Sequence, residues 1–298
     1  MSEPKLHHYV PRMYLRNFTN ENGKFWVWNK KTGKRYGADP YGVAAENYFY
    51  RIPEFIGSTT DPLVLEKAFA KLEGAAGEIL KKYISQLAML ELGGQVILAQ
   101  EDRHLPAHFI AIQFLRTAEQ REILALFANE SGSYQNELST DEIINLHTYF
   151  IYTSKLVEDM THRLHESIWI FGKNDTQVPF WTSDNPVCFK TGDHRIWLKG
   201  PGIMSDGCYA VFPISPLYIL YCKEPIYWNA LKVLDSTLSP VEFSADMVDH
   251  ENAGQVFSAT RSVISPANDF AFADEFVVTI GTDIYRPDSE SGTPEDEG

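Results

Sequence analysis

The sequence predicts an α+β fold, an antiparallel sheet of mixed-length strands packed against a layer of long helices. Three observations carry this expectation. Apolar residues recur at helical spacing across much of 62–165. From 168 to 221 short β-prone runs follow one another, and their connections are too short to hold crossover helices, which points to antiparallel pairing. Eighteen Phe, fifteen Tyr and six Trp supply bulk for a core.

Taken in order, Pro11 biases Val10 toward an extended backbone, and a short helix is expected over 12–18. Phe25-Trp26-Val27-Trp28 and Arg35-Tyr36 flank Lys31-Thr32-Gly33-Lys34, a β-hairpin with glycine in its turn. Asn47-Tyr48-Phe49-Tyr50 reads as a further strand. Asp61-Pro62 pairs an N-cap with a first-turn proline, and Leu65, Phe69, Leu72, Ala76, Ile79, Leu80 and Tyr83 continue a helix over about 62–85. A second helix is expected over 95–128, with Pro106 kinking it or marking its start. Residues 129–135 read as a loop, and Ser139-x-x-Glu142 as a capping box opening a helix to His165. Strands follow at 168–171, 178–181, 187–189, 196–198, 210–212 and 217–221. Ser239-Pro240 opens a last long helix over 240–264, and 276–280 reads as a final strand. With no repeat or linker in view, residues 1–285 are expected to form one α+β domain, and 286–298 a disordered acidic tail.

The formal net charge is −14, of which the segment from Asp283 onward carries −5 (six acids against Arg286), leaving the body near −9. An acidic body argues against non-specific nucleic-acid binding and against an anionic membrane surface, though it leaves room for a small basic cleft. The longest apolar stretch, 209–221, is broken by Pro213 and Pro216, so no membrane span is expected. Cys188, Cys208 and Cys222 lie in apolar surroundings without a C-x-x-C pair, and read as buried reduced thiols. With a polar start free of a signal-like segment, the expected location is cytoplasmic. Phosphate-loop, dinucleotide-fold, zinc-protease and serine-hydrolase motifs are all absent.

Three polar motifs interrupt apolar surroundings. The first is His7-His8-Tyr9-Val10-Pro11, continuing to Tyr14-Leu15-x-x-Phe18. Adjacent side chains of an extended segment point to opposite sides, so at most one histidine faces a given site. Imidazole serves as base or ligand, or is satisfied by a backbone carbonyl. The second is the almost wholly apolar turn around Gln113, Arg116 and Thr117, which share one helix face. A buried guanidinium there needs an internal Asp or an anionic ligand. The third is Trp181-Thr182-Ser183-Asp184-Asn185-Pro186, either a side-chain-to-backbone turn or a carboxylate at a strand end aimed at Arg116 or a histidine. Asn252 lies within the last helix, where an Asn is usually exposed.

Together these motifs resemble a known set. Lys5-x-His7-His8-Tyr9-Val10-Pro11-x-x-Tyr14-Leu15-x-x-Phe18 resembles the opening signature of the domain of unknown function family 4238, the HHYVP-type proteins found mainly in bacteria. Phe109-x-x-x-Gln113-x-x-Arg116-Thr117 resembles its central helix. Thr182 to Pro186 with Phe212 to Pro216 resembles its third block, and Asn252 and Arg261 its final helix. The family is uncharacterised, so the resemblance implies grouping rather than activity. It suggests that residues odd on chemical grounds belong to one site.

Three readings follow. One is a hydrolase-like enzyme acting on a phosphoester or nucleotide-type anion. His7, His8 and Asp184 are then its catalytic candidates, and Gln113, Arg116, Thr117, Ser183, Asn185 and Asn252 its substrate-binding candidates. No cofactor is assigned, and a divalent metal is left open. The second is a non-catalytic sensor for an anionic small molecule or a partner. The third is structural, a buried Arg116–Asp184 pair capped by a histidine. Substrate and oligomeric state are not legible.

Overall fold

The computed structural model describes residues 5–98, 100–130, 137–153 and 155–281, with the backbone alone at 100 and 101. The chain enters as β1 (Leu6–His8) and turns at Pro11 into α1 (Arg12–Leu15) and one 3-10 turn to Phe18. The hairpin forms as β2 (Phe25–Asn29) and β3 (Arg35–Ala38), with Gly33 supplying a φ of 66° in its turn. β4 (Ala45–Asn47) pairs with β1. The strand expected over 47–50 therefore stops at Asn47. Tyr48 adopts a φ of 57°, which turns the chain and delivers Phe49 and Tyr50 to the core.

α2 (Val64–Leu87) lies within two residues of its predicted span. The helix expected over 95–128 is two helices, α3 (His104–Leu115) and α4 (Ala118–Glu130). Pro106 sits in the first turn of α3, where its missing N–H costs no hydrogen bond, so it marks the start. The break falls at Arg116, whose φ of −86° and ψ of 0° leave the helical region. α5 (Thr140–Thr153) and α6 (Lys155–Glu166) follow. The capping box is formed: Ser139 N–H donates to the Glu142 carboxylate at 2.8 Å, and Glu142 N–H donates to Ser139 Oγ at 3.4 Å.

The strand-rich half contains β5 (Ile168–Lys173), β6 (Thr182–Ser183), β7 (Cys188–Lys190), β8 (Trp197–Leu198), β9 (Tyr209–Pro213), β10 (Tyr218–Lys223) and β11 (Thr237–Leu238). It closes with α7 (Ala245–Ser258), β12 (Ser262–Ser265) and α8 (Ala271–Phe276). One sheet becomes three among the described residues: β11-β5-β10-β9-β7-β8, β3-β2-β12-β6 and β1-β4. Pairing is antiparallel throughout except for β11 beside β5. The class is α+β, as predicted.

Three other expectations are corrected. The last helix begins after the Ser244 cap, whose Oγ accepts the Met247 N–H, and ends at Ser258. Ser262-Val263-Ile264-Ser265 is a strand, because β2 and β6 take its backbone from both sides. Residues 178–181 form no strand, since the Trp181 N–H donates to the Asn252 side chain instead of a ladder. Residues beyond Phe276 continue as turns rather than a strand, with Thr279 and Ile280 N–H returning to the Phe276 carbonyl. The expected tail, 286–298, lies outside the described residues.

Strand alternation gives the six-stranded sheet two buried faces. Trp169, Phe171, Phe189, Phe212, Leu220 and Cys222 join the main core with residues of α2, α3 and α6. Cys188, Tyr209, Val211 and Ile219 pack on the opposite side with Val248 of α7. Cys188, Cys208 and Cys222 are buried free thiols. Among the described residues no helix is long and apolar enough to cross a membrane.

Candidate functional site

Alternation along β1 separates the two histidines. His7 is 0% exposed, while His8 sits half-buried on the other side. The Tyr50 backbone N–H donates to His7 Nδ1 at 3.0 Å, and the Tyr50 ring stacks on the imidazole with centroids 6.2 Å apart. An Nδ1 that accepts a hydrogen bond belongs to a neutral ring. The Glu66 carboxyl oxygen, 3.9 Å from the same Nδ1, is thus a neighbour rather than an ion-pair partner. His8 Nε2 lies 2.9 Å from the Tyr41 carbonyl, and burial lowers its pKa.

The second motif meets the first at its backbone. Gln113 Nε2 donates to the Tyr9 carbonyl at 2.9 Å, and its Oε1 accepts from Arg116 Nε at 3.0 Å. Arg116 is fully buried at the break between α3 and α4. Its Nη1 donates to Glu73 Oε1 at 2.8 Å, and its guanidinium lies over the Phe69 ring, 5.0 Å from the centroid. Tyr50 joins both groups, since its hydroxyl donates to the Arg116 carbonyl at 2.9 Å. Arg116 Nη2 is buried and makes no hydrogen bond among the described residues. Thr117 only turns its hydroxyl back to the Phe114 carbonyl at 3.3 Å.

Glu66, Phe69 and Glu73 share a face of α2, at i, i+3 and i+7. Glu66 and Glu73 also wall a cleft of about 400 Å³ between α2 and the segment of β1 and α1. The rest of its polar lining is cationic or aromatic: Lys5, His8, Arg12, Arg16 and Tyr41. The Arg12 guanidinium lies over the Tyr41 ring at 5.3 Å. Burial raises the Glu66 pKa to about 7, the Glu73 charge adds to the rise, and Arg116 opposes it. A carboxyl that titrates near neutrality therefore borders a basic cleft in an acidic protein.

The third motif lies elsewhere. Asp184 is buried, and its carboxylate accepts three backbone N–H groups, Thr260 at 2.9 Å, Arg261 at 2.8 Å and Ser262 at 3.0 Å. Burial still raises its pKa to about 6 against the pull of those three donors. Ser183 Oγ donates to Gln255 Oε1 at 2.9 Å and accepts the Asn185 N–H at 3.1 Å. Asn185 Nδ2 donates to the Ser258 carbonyl at 3.1 Å. Asn252 is buried, not exposed, because it accepts the Trp181 N–H at 2.8 Å and donates to the Pro179 carbonyl at 3.0 Å. The motif residues thus fasten the turn before β7 to α7 and to the start of β12.

His7, Gln113 and Arg116 come together around Tyr50, with Glu66 and Glu73. The expected Arg116–Asp184 pair does not form: Glu73 and Gln113 hold the guanidinium, and backbone N–H groups hold Asp184. The internal carboxylate that Arg116 requires is present, as Glu73 rather than an Asp. The first and third motifs still touch structurally, because the Tyr14 hydroxyl donates to the Pro213 carbonyl at 2.6 Å and lies 2.8 Å from Thr182 Oγ1. Glu66, Glu73, Arg12 and Arg16 were not foreseen. Acids at helical spacing read as a solvated face, and only the apolar Phe69 between the two acids hinted otherwise. Among the described residues no group of three or more His, Cys, Asp or Glu side chains is placed to hold a metal ion.

A family model described as protein of unknown function (DUF4238) matches residues 6–269. Comparison with curated proteins and with solved structures found no match.

Proposed function

Because the chain belongs to the DUF4238 family, whose description states no activity, we propose a function from the geometry and charge of the site: a hydrolase-like enzyme that takes a phosphoester or nucleotide-type anion into the cleft beside α2. The observation that carries this is Glu66, a carboxyl with a pKa of about 7 on the wall of a cleft rimmed by Lys5, Arg12 and Arg16. Guanidinium groups bind phosphoryl oxygens in pairs, so Arg12 and Arg16 are the anion anchors. Glu73 is compensated by Arg116, which leaves the rim net positive. As water attacks phosphorus in line, the bond to the leaving oxygen breaks and protonated Glu66 donates its proton to that oxygen; the proton lost by the water returns the carboxylate to its acid form. Burial, the Glu73 charge and the opposing Arg116 charge set this pKa. Asp184, Ser183, Asn185 and Asn252 act as scaffold, and the catalytic roles first considered for His7 and Asp184 give way to Glu66.

A second reading has its own support. His7 and Arg116 are wholly buried, so neither reaches a ligand directly. That suits a binding or sensor module using the same cleft without turnover. One experiment separates the two. Thermal unfolding with inorganic phosphate or AMP, alongside hydrolysis of p-nitrophenyl and bis-p-nitrophenyl phosphate, should show stabilisation and turnover in the wild type. Arg12→Ala with Arg16→Ala should lose both, and Glu66→Gln should lose turnover while retaining stabilisation. Stabilisation without turnover selects the sensor. No stabilisation by either anion removes the cleft from consideration.

A further inference from the structure

On the far side of the molecule a cavity of about 420 Å³ lies between the six-stranded sheet and α7. One row of directly paired residues crosses the sheet there: Lys223 opposite Tyr209, Tyr209 opposite Lys190, Lys190 opposite Trp197. Paired residues project to the same face, so both lysines point to the α7 side. Lys223 is 8% exposed and Lys190 is 1% exposed. Lysine is rarely buried unless its charge is compensated. Lys190 is bonded to the His250 imidazole. Among the described residues Lys223 has no carboxylate within ion-pair distance. Its Nζ lies instead 3.6 Å from the Tyr209 ring centroid and 3.8 Å from that of Trp228.

The remaining wall is mostly apolar, with Ile170, Leu231, Leu234, Val241, Phe243 and Met247. An apolar cavity with a few convergent polar groups is the usual form of a small-molecule site. Its charged groups are Lys223 from β10, Lys190 from β7 and Glu251 from α7, with His194 and His250 titratable beside them. An apolar wall beside two lysine amines suits a small ligand with an apolar body and polar groups at one end. Nothing in the cleft beside α2 uses these residues.

We infer that this cavity is a second site, which takes a small apolar or aromatic oxo acid and joins its carbonyl carbon to Lys223 as an imine. The apolar wall would hold the ligand body, and Lys190 would face its carboxylate. In the step, Lys223 Nζ attacks the carbonyl carbon and forms a carbinolamine. Loss of water then leaves the C=N bond, with the carbonyl oxygen departing with the two amine protons and no oxidant or reductant required. The attacking amine must be uncharged. Burial, with the nearby Lys190 charge and against the pull of Glu251, lowers the Lys223 pKa to about 7, which makes free amine available near neutral pH.

The test uses the full chain with limiting 4-carboxybenzaldehyde, sodium borohydride to fix any imine, and peptide mapping by mass spectrometry. Lys223 should be labelled at least about tenfold faster than any other lysine at pH 7, with a rate rising through that pH. Lys223→Met should lose that label. Lys190→Met should slow labelling by 4-carboxybenzaldehyde but not by benzaldehyde. Label spread evenly over surface lysines, or a Lys223 rate that climbs only above pH 9, overturns the inference. Both readouts come from the wild type alone, so they decide the matter even if a variant does not fold.

Discussion

Glu66 shows how one side chain reports on its surroundings. Its pKa rises from the ordinary 4.5 to about 7, so between these values the folded chain holds a proton that the unfolded chain has released. Stability contributed by this group is therefore present below pH 4.5 and lost as pH climbs toward 7. Glu66→Gln removes the loss. Its stability relative to wild type should rise across that window by about 3 kcal/mol and then level off, measured by urea unfolding at a series of pH values. A difference that stays flat would refute the raised pKa. If Glu66 is the proton donor in turnover, the wild-type rate should fall above pH 7. Arg116 contributes through its ion pair with Glu73 and its hydrogen bond to Gln113. Arg116→Met strips Glu73 and Gln113 of their partner, at a cost of about 3 kcal/mol in the same assay. Its readout in the cleft would be a further rise of the Glu66 pKa.

Elements in this protein are fastened by side chains more than by long ladders. β6 spans two residues, and its neighbourhood is held by α7 through Asn252, Gln255 and the Ser258 carbonyl. Asn252→Ala would orphan the buried Trp181 N–H and Pro179 carbonyl, and should cost about 2 kcal/mol by urea unfolding. The same helix approaches β8 closely at Gly254, where a Cβ would stand 2.5 Å from the Trp197 indole. Gly254→Ala should destabilise by about 1–3 kcal/mol and shift Trp fluorescence, because neither helix nor strand can withdraw freely. Near the middle of the chain, Ser139→Ala removes half of a capping box and should cost about 1 kcal/mol. A Ser139→Asp variant should restore most of it.

At the scale of the whole molecule, charge and shape are decoupled. The chain carries −14, yet the cleft beside α2 gathers Lys5, Arg12 and Arg16. Net charge argues about long-range partners, while a local cluster argues about a ligand within a few ångströms. Affinity for inorganic phosphate should therefore weaken roughly fivefold or more between 50 mM and 500 mM chloride, read by titration calorimetry. An affinity indifferent to chloride would count against Arg12 and Arg16 as the anchors.

Local rules alone determined the α+β class, the span of α2, the capping box, the hairpin and the opposite facing of His7 and His8. Each follows from a period of two or 3.6, or from contacts three residues apart, so neighbours in sequence suffice. The odd polar residues were also legible as odd. Their partners were not. Arg116 is answered by a glutamate 43 residues away and Asp184 by N–H groups 76–78 residues away. Only the packing of α2 against α3, and of β12 between β2 and β6, made those choices. Periodicity tells which face of an element is apolar, but not which element covers it. That is why 262–264 turned from expected helix to strand and why the two lysines of one sheet row found a shared cavity.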